Sequence, residues 1–180
     1  MRILIAYYSF SGNTKKACEF LRGAMLCRQY QVDFTELKLK SEETSFFKQC
    51  KSAQAQGTPE LINRDFDVSR YDLVIFSSPV WAFSFAPALR TYINNCIGLD
   101  SKKVAIFLTC GAAFTSGKAL KELEEDLLRK GAIVEFAAYV KGKRTIDSEY
   151  LQDVFKPLFE SAPDPKIKTH FARGLFGKKK

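Results

Sequence analysis

Three uninterrupted apolar runs constrain this chain more than anything else in it. They are Ile3-Leu4-Ile5-Ala6-Tyr7-Tyr8, Leu73-Val74-Ile75-Phe76 and Val104-Ala105-Ile106-Phe107-Leu108. A strand that is apolar on both sides of its pleat is buried on both faces, so something must cover the sheet above and below. Residues 2–8, 72–77 and 103–109 therefore read as inner strands. Between and after them the spacing turns helical, over 13–29, 86–97 and 116–130. In the last of these, Leu120, Leu123, Leu127 and Leu128 form a stripe, Glu124, Glu125 and Arg129 face away, and Gly131 is placed to end the helix. Val32-Asp33-Phe34-Thr35-Glu36-Leu37 alternates apolar and polar residues, the pattern of a half-exposed strand. A helix over 44–56, a loop through Gly57-Thr58-Pro59, a strand over 132–139 and a helix over 147–160 complete five β/α pairs.

This alternation predicts an α/β domain: a five-stranded parallel sheet with helices on both faces. The alternating second strand belongs at an edge, which favours the order 2-1-3-4-5 over 3-2-1-4-5. In that order a ligand crevice lies outside the carboxyl ends of the first and third strands. The domain spans residues 1–162, and 163–180 form a basic tail.

The net charge of +8 is unevenly spread. From Asp164 onward, Lys166, Lys168, Arg173, Lys178, Lys179 and Lys180 outweigh one acid by five charges, and the preceding residues carry only +3. The body is not a nucleic-acid surface. The tail reads as a solvated end; its sharper alternative is weak contact with a membrane surface, with Phe171, Leu175 and Phe176 as the apolar side. No apolar run is long enough for a transmembrane segment, and the chain enters its first strand without a signal peptide. The cysteines at 18, 27, 50, 96 and 110 form no Cys-x-x-Cys pair, which argues for reduced thiols, a cytoplasmic location and no metal site. Those at 18, 27 and 96 fall on expected helices and read as core residues. His170, the sole histidine, lies in the tail, so hydrolase schemes built on histidine have no support. The Gly-x-Gly-x-x-Gly fingerprint is absent, so a nicotinamide nucleotide would bind as a substrate.

Three loops fall on the expected rim. Ser9-Phe10-Ser11-Gly12-Asn13-Thr14 leads into a helix N-terminus, where amides, hydroxyls and the helix dipole suit a phosphate. No Gly-Lys-Ser/Thr lysine sits in it, which weakens a nucleoside-triphosphate reading. Ser77-Ser78-Pro79-Val80-Trp81-Ala82-Phe83 follows the third strand, and Thr109-Cys110-Gly111-Ala112-Ala113-Phe114 ends the fourth. Such a set suits a flat aromatic ring with a phosphate tail. Trp81 has two uses open to it, stacking on that ring or packing beneath the loop. Cys110 reads as a small packed hydrophobe at the crevice mouth.

Ser9-Phe10-Ser11-Gly12-Asn13-Thr14 resembles the phosphate loop of flavodoxins and flavodoxin-like FMN proteins. Tyr71-Asp72-Leu73-Val74 with Ser78-Pro79-Val80-Trp81 resembles the third-strand motif of the flavodoxin-like reductase branch. Thr109-Cys110-Gly111, with the strand entry at Gly131-Ala132, is similar to that branch too. The likeness covers residues 1–160. It implies FMN, with the phosphate held by Ser9, Ser11, Gly12, Asn13 and Thr14. The ring would contact residues 78–83 (Ser78, Pro79, Val80, Trp81, Ala82, Phe83) and 110–114, Cys110, Gly111, Ala112 and Phe114 among them, and Phe10 and Thr109 complete the cofactor-binding set. The flavin carries the chemistry, so no catalytic side chain is implied. Phe10 replaces a small hydroxyl residue frequent in carrier flavodoxins, and those carriers are acidic where this body is slightly basic. The favoured reading is an NAD(P)H-dependent reductase of quinones or similar small acceptors. Its rivals are an electron carrier between redox proteins and a flavin-free binding module. Reductases of that branch are often dimers or tetramers, which leaves a homodimer open.

Overall fold

The computed structural model of the chain describes residues 1–41, 57–111 and 116–161. Strand β1 (Arg2–Tyr7) leads to helix α1 (Asn13–Cys27) and strand β2 (Gln31–Glu36). Strand β3 (Leu73–Trp81), strand β4 (Ser84–Phe85) and helix α2 (Pro87–Asn95) follow. Strand β5 (Lys103–Cys110), helix α3 (Ser116–Arg129), strand β6 (Ile133–Lys141) and helix α4 (Ser148–Ser161) complete the order. The sheet runs β2-β1-β3-β5-β6 with every neighbouring pair parallel. That is the expected 2-1-3-4-5 order once β4, which pairs antiparallel with β3 alone, is set aside. The helix expected over 44–56, Cys50, Ala112, Phe114 and the tail with His170 lie outside the described residues.

Alternation along the inner strands divides the core in two. Ile3, Ile5, Tyr7, Ile75 and Phe107 face α1 and α4, where Leu21 and Phe155 meet them. Leu4, Ala6, Val74, Phe76 and Ile106 face α2 and α3, meeting Leu89, Leu123 and Leu127. Strand β2 is half-exposed at the edge, as its alternation demands. In α3 the buried line is Ala119, Leu123 and Leu127, repeating every fourth residue. Leu128 is 52% exposed rather than part of the stripe, because it stands about 100° round the helix from Leu127. Gly131 does end α3: with φ 78° it lets its own amide reach Leu128 O and that of Ala132 reach Leu127 O. Cys27 is exposed, and Cys96 follows the last residue of α2 and is half-buried against the core, so of the three cysteines expected on helices only Cys18 is both helical and fully buried.

Two further departures matter. Ser78-Pro79-Val80-Trp81 is not loop but the end of β3, which turns at Ala82-Phe83 and returns as β4. The long β2–β3 connection is pinned on the near side of its undescribed part. Leu39 and Leu61 form an antiparallel bridge, with Lys40 N donating to Glu60 O (2.9 Å) and Ile62 N to Lys38 O (2.8 Å). No described helix is long and apolar enough to cross a membrane.

Candidate cofactor site

Because the five main strands are parallel, their carboxyl ends share one rim. Strand β1 leaves the sheet after Tyr8, whose amide still reaches Ser77 O at 3.0 Å. The chain then turns through Gly12 at φ 84° and starts α1, with Lys16 N donating to Gly12 O at 3.0 Å. A Cβ on Gly12 would meet nothing within 4 Å, so glycine is needed for torsion, and open space lies beside the turn.

Helix α1 supplies few partners for the amides of its own first turn. It has no side-chain cap and no acid in its first turn. Ser9 Oγ accepts from Lys15 N (3.2 Å), but the amides of Ser11, Gly12, Asn13 and Thr14 donate to no partner among the described residues. Helix α4 differs: Asp147 Oδ1 accepts from Tyr150 N at 3.0 Å, and that hydrogen bond foremost lowers the Asp147 pKa. A first turn whose leading amides have no partner among the described residues, with no acid beside the positive dipole end, is suited to a phosphate.

Thr14 is buried, and its Oγ1 lies 2.7 Å from Oγ1 of Thr109 at the end of β5. One hydroxyl donates to the other, so the second retains its proton for a further acceptor. The start of β6's exit closes the same corner. A Cβ on Gly142 would come within 3.3 Å of Asn13 Nδ2 and 3.5 Å of Cys110 O. Cys110 is buried, and Gly111 is exposed beyond it. Below this layer, burial pushes the Cys18 thiol pKa far up, so it stays protonated and inert.

An aromatic cluster joins the β3–β4 hairpin to the turn before α1. Trp81 is 5% exposed and meets Tyr8 (5.6 Å) and Phe10 (5.8 Å) edge-on. Trp81 is thus packed between the hairpin and the turn that precedes α1. The exposed aromatic surface comes from Phe10 (44%) and Phe83 (46%). Pro79 and Val80 are half-buried beside them. Ser78 is turned inward: its Oγ accepts from Ala86 N (3.2 Å) and donates to Pro79 O (3.1 Å). Ala82 and Phe83 both hold left-handed backbone, at φ 48° and 67°.

Sequence reasoning missed a buried polar cluster beneath the hairpin. Arg90 is 6% exposed; its Nη2 donates to Glu122 Oε1 (2.9 Å) and its Nη1 to Asp126 Oδ2 (3.0 Å). Burial raises the Asp126 pKa, and the neighbouring Arg90 and Arg129 oppose the rise. The partners lie 32 and 36 positions from Arg90, and the only sequence signal was the i,i+4 spacing of Glu122 and Asp126. A cavity of about 580 Å³ also opens at the amino ends of the strands, between Met1, Arg70, Lys102 and Glu135. Lys102 Nζ is spent there on Ser69 O and Tyr71 O, and that end is remote from the rim.

A doubly covered parallel sheet in the order 2-1-3-4-5, with a helix that starts at the carboxyl end of its first strand, defines the doubly wound α/β class. The flavodoxin family model matches residues 2–147, and the chain belongs to the flavodoxin family. Among solved structures, it is similar to a flavoprotein in complex with FMN from Lactobacillus acidophilus NCFM. The two are 25% identical with a TM-score of 0.63, over 82% of this chain and 98% of that one. It also resembles oxidised flavodoxin 2 from Bacillus cereus (22% identity, TM-score 0.59, covering 89% and 99%). A third likeness is the two-electron-reduced flavodoxin of Megasphaera elsdenii (17%, 0.56, covering 83% and 94%). The last two share the fold. No curated protein matches the chain.

Proposed function

We propose that this protein binds FMN at the rim and is an NAD(P)H-dependent reductase of quinones or similar small acceptors. The observation that carries the cofactor reading is the α1 N-terminus: amides with no partner among the described residues, a left-handed Gly12, open space beside it and no acid in the first turn. Family membership and the FMN complex of the Lactobacillus relative support the same ligand. When bound, FMN supplies a ring that accepts hydride or electrons. The chain's own residues hold and orient it. Amides of residues 11–14 and the spare Thr14–Thr109 hydroxyl bind the phosphate. Phe10, Trp81 and Phe83 exclude water from one side of the ring site. Backbone N–H groups just past the end of β5, beginning at Gly111, would hydrogen-bond the bound ring and favour negative charge that develops on it during reduction.

The reductase half rests on charge. Carriers are steered to basic partners by acidic faces, and this chain has 28 Lys and Arg against 20 Asp and Glu. Adding NADH or NADPH anaerobically to the FMN-loaded protein should bleach the flavin absorbance; no bleaching with either nucleotide removes the reductase assignment. Membership of the flavodoxin family favours a second reading, an electron carrier between proteins. Stepwise chemical reduction in two well-separated one-electron stages would support that reading instead.

A further inference from the structure

The turn at Ala82-Phe83 has positive φ at both central residues and contains neither glycine nor asparagine. Such a turn is strained at both residues and persists only where its surroundings hold it. Two paired residues of β4 are a weak hold. The rest comes from the buried cluster. Ser84 Oγ accepts from Arg90 Nη2 (3.1 Å) and donates to Glu122 Oε2 (2.7 Å). The Arg90 guanidinium also lies over the Phe85 ring, 4.1 Å from its centroid. Both residues of β4 are therefore gripped by one side chain of α2, which is itself fixed from α3 by Glu122 and Asp126.

Stability alone does not account for this cluster. A buried ion pair contributes little net stability compared with apolar residues of the same shape. This one also leaves Arg90 Nε without a partner among the described residues. What the cluster does supply is a single geometry for the hairpin. We propose that Arg90, with Glu122 and Ser84, is a positioning device that clamps β4 and so holds Ala82 and Phe83 beside the flavin ring, with Trp81 packed behind them. The role of the clamp toward the ring rests on the FMN reading above. Because Trp81 touches Tyr8 and Phe10, the same clamp braces the hairpin against the phosphate loop.

The test uses Ser84→Ala, which removes the shared hydroxyl while the guanidinium keeps both carboxylates, together with Ser84→Thr, which restores a hydroxyl, and Arg90→Lys. Trp81 is the only tryptophan, so its emission reports on the hairpin in flavin-free protein. In Ser84→Ala and Arg90→Lys the emission should move to longer wavelength. Affinities for FMN and for riboflavin should fall together by about tenfold, the loss of one charge-assisted hydrogen bond. Competition by inorganic phosphate should be unchanged, and Ser84→Thr should behave as wild type. The proposal is overturned if the variants lower only the unfolding midpoint while Trp81 emission and riboflavin affinity stay at wild-type values. Wild-type protein that takes up no FMN would defeat the cofactor reading, whereas an unmoved Trp81 emission defeats the clamp, so the two failures are told apart.

Discussion

Thr14 and Thr109 stand 95 positions apart and meet at 2.7 Å inside the protein. Their pairing ties α1 to the end of β5 at the corner where the proposed phosphate sits. Thr109→Val leaves the Thr14 hydroxyl buried with one partner fewer and should destabilise the flavin-free protein by roughly 1–3 kcal/mol in denaturant unfolding. The double change Thr14→Val, Thr109→Val removes both polar groups and should cost less than the single one, a sign that a double-mutant cycle reads directly. At the far end of the sheet, the Tyr71 hydroxyl donates to Asp33 at 2.7 Å and is the main reason the Asp33 pKa is lowered, with Arg2 assisting. A carboxyl lowered on folding contributes stability above its unfolded pKa and loses it as pH falls through its folded value. Tyr71→Phe should therefore raise the Asp33 pKa, seen in an NMR titration, and flatten the acid-side loss of stability. Neither contact was legible in the sequence. Thr14 could be placed in a phosphate loop by its neighbours, but nothing local tells that its hydroxyl meets a threonine on another strand. Arg90 was equally hidden, since its carboxylates come from a different helix.

At the scale of elements, legibility followed hydrophobic period. The inner strands β1, β3 and β5 were readable as apolar runs and α3 as an amphipathic stripe, because burial on two faces or one leaves a pattern in the residues themselves. The β3–β4 hairpin was not readable: Ala82-Phe83 carries none of the Asn-Gly or Asp-Gly chemistry that announces a tight turn, and its strain is held by side chains elsewhere. Helix α1 makes the sharpest prediction. Ser11→Ala with Thr14→Ala should weaken FMN binding more than tenfold, at roughly 1.5–3 kcal/mol for each hydrogen bond to a charged group. Unchanged affinity, measured by quenching of flavin fluorescence, would put the phosphate in another turn. Helix α4 gives a stability counterpart. Phe155 is fully buried and packs on the rings of Phe20, Phe107, Phe136 and Phe159. Phe155→Ala should cost about 3–5 kcal/mol in chemical unfolding, with the rim untouched.

For the molecule as a whole, one sheet separates two apolar layers that share no side chains. Strand order followed from a single contrast, apolar inner strands against an alternating β2, and with it the rim on which the loops meet. The same arrangement predicts how damage combines. Leu123 lies in one layer and Phe155 in the other. Leu123→Ala and Phe155→Ala should therefore add within about 0.5 kcal/mol when combined, in a single transition seen alike by near- and far-ultraviolet circular dichroism. The pinned ends of the β2–β3 connection have a consequence of their own. Leu39 and Leu61 are already neighbours, so whatever runs between residues 41 and 57 begins and ends at one place on the body. A proline at Lys40 would delete one of the two amide donors that hold these ends together, and a proline at Ile62 the other.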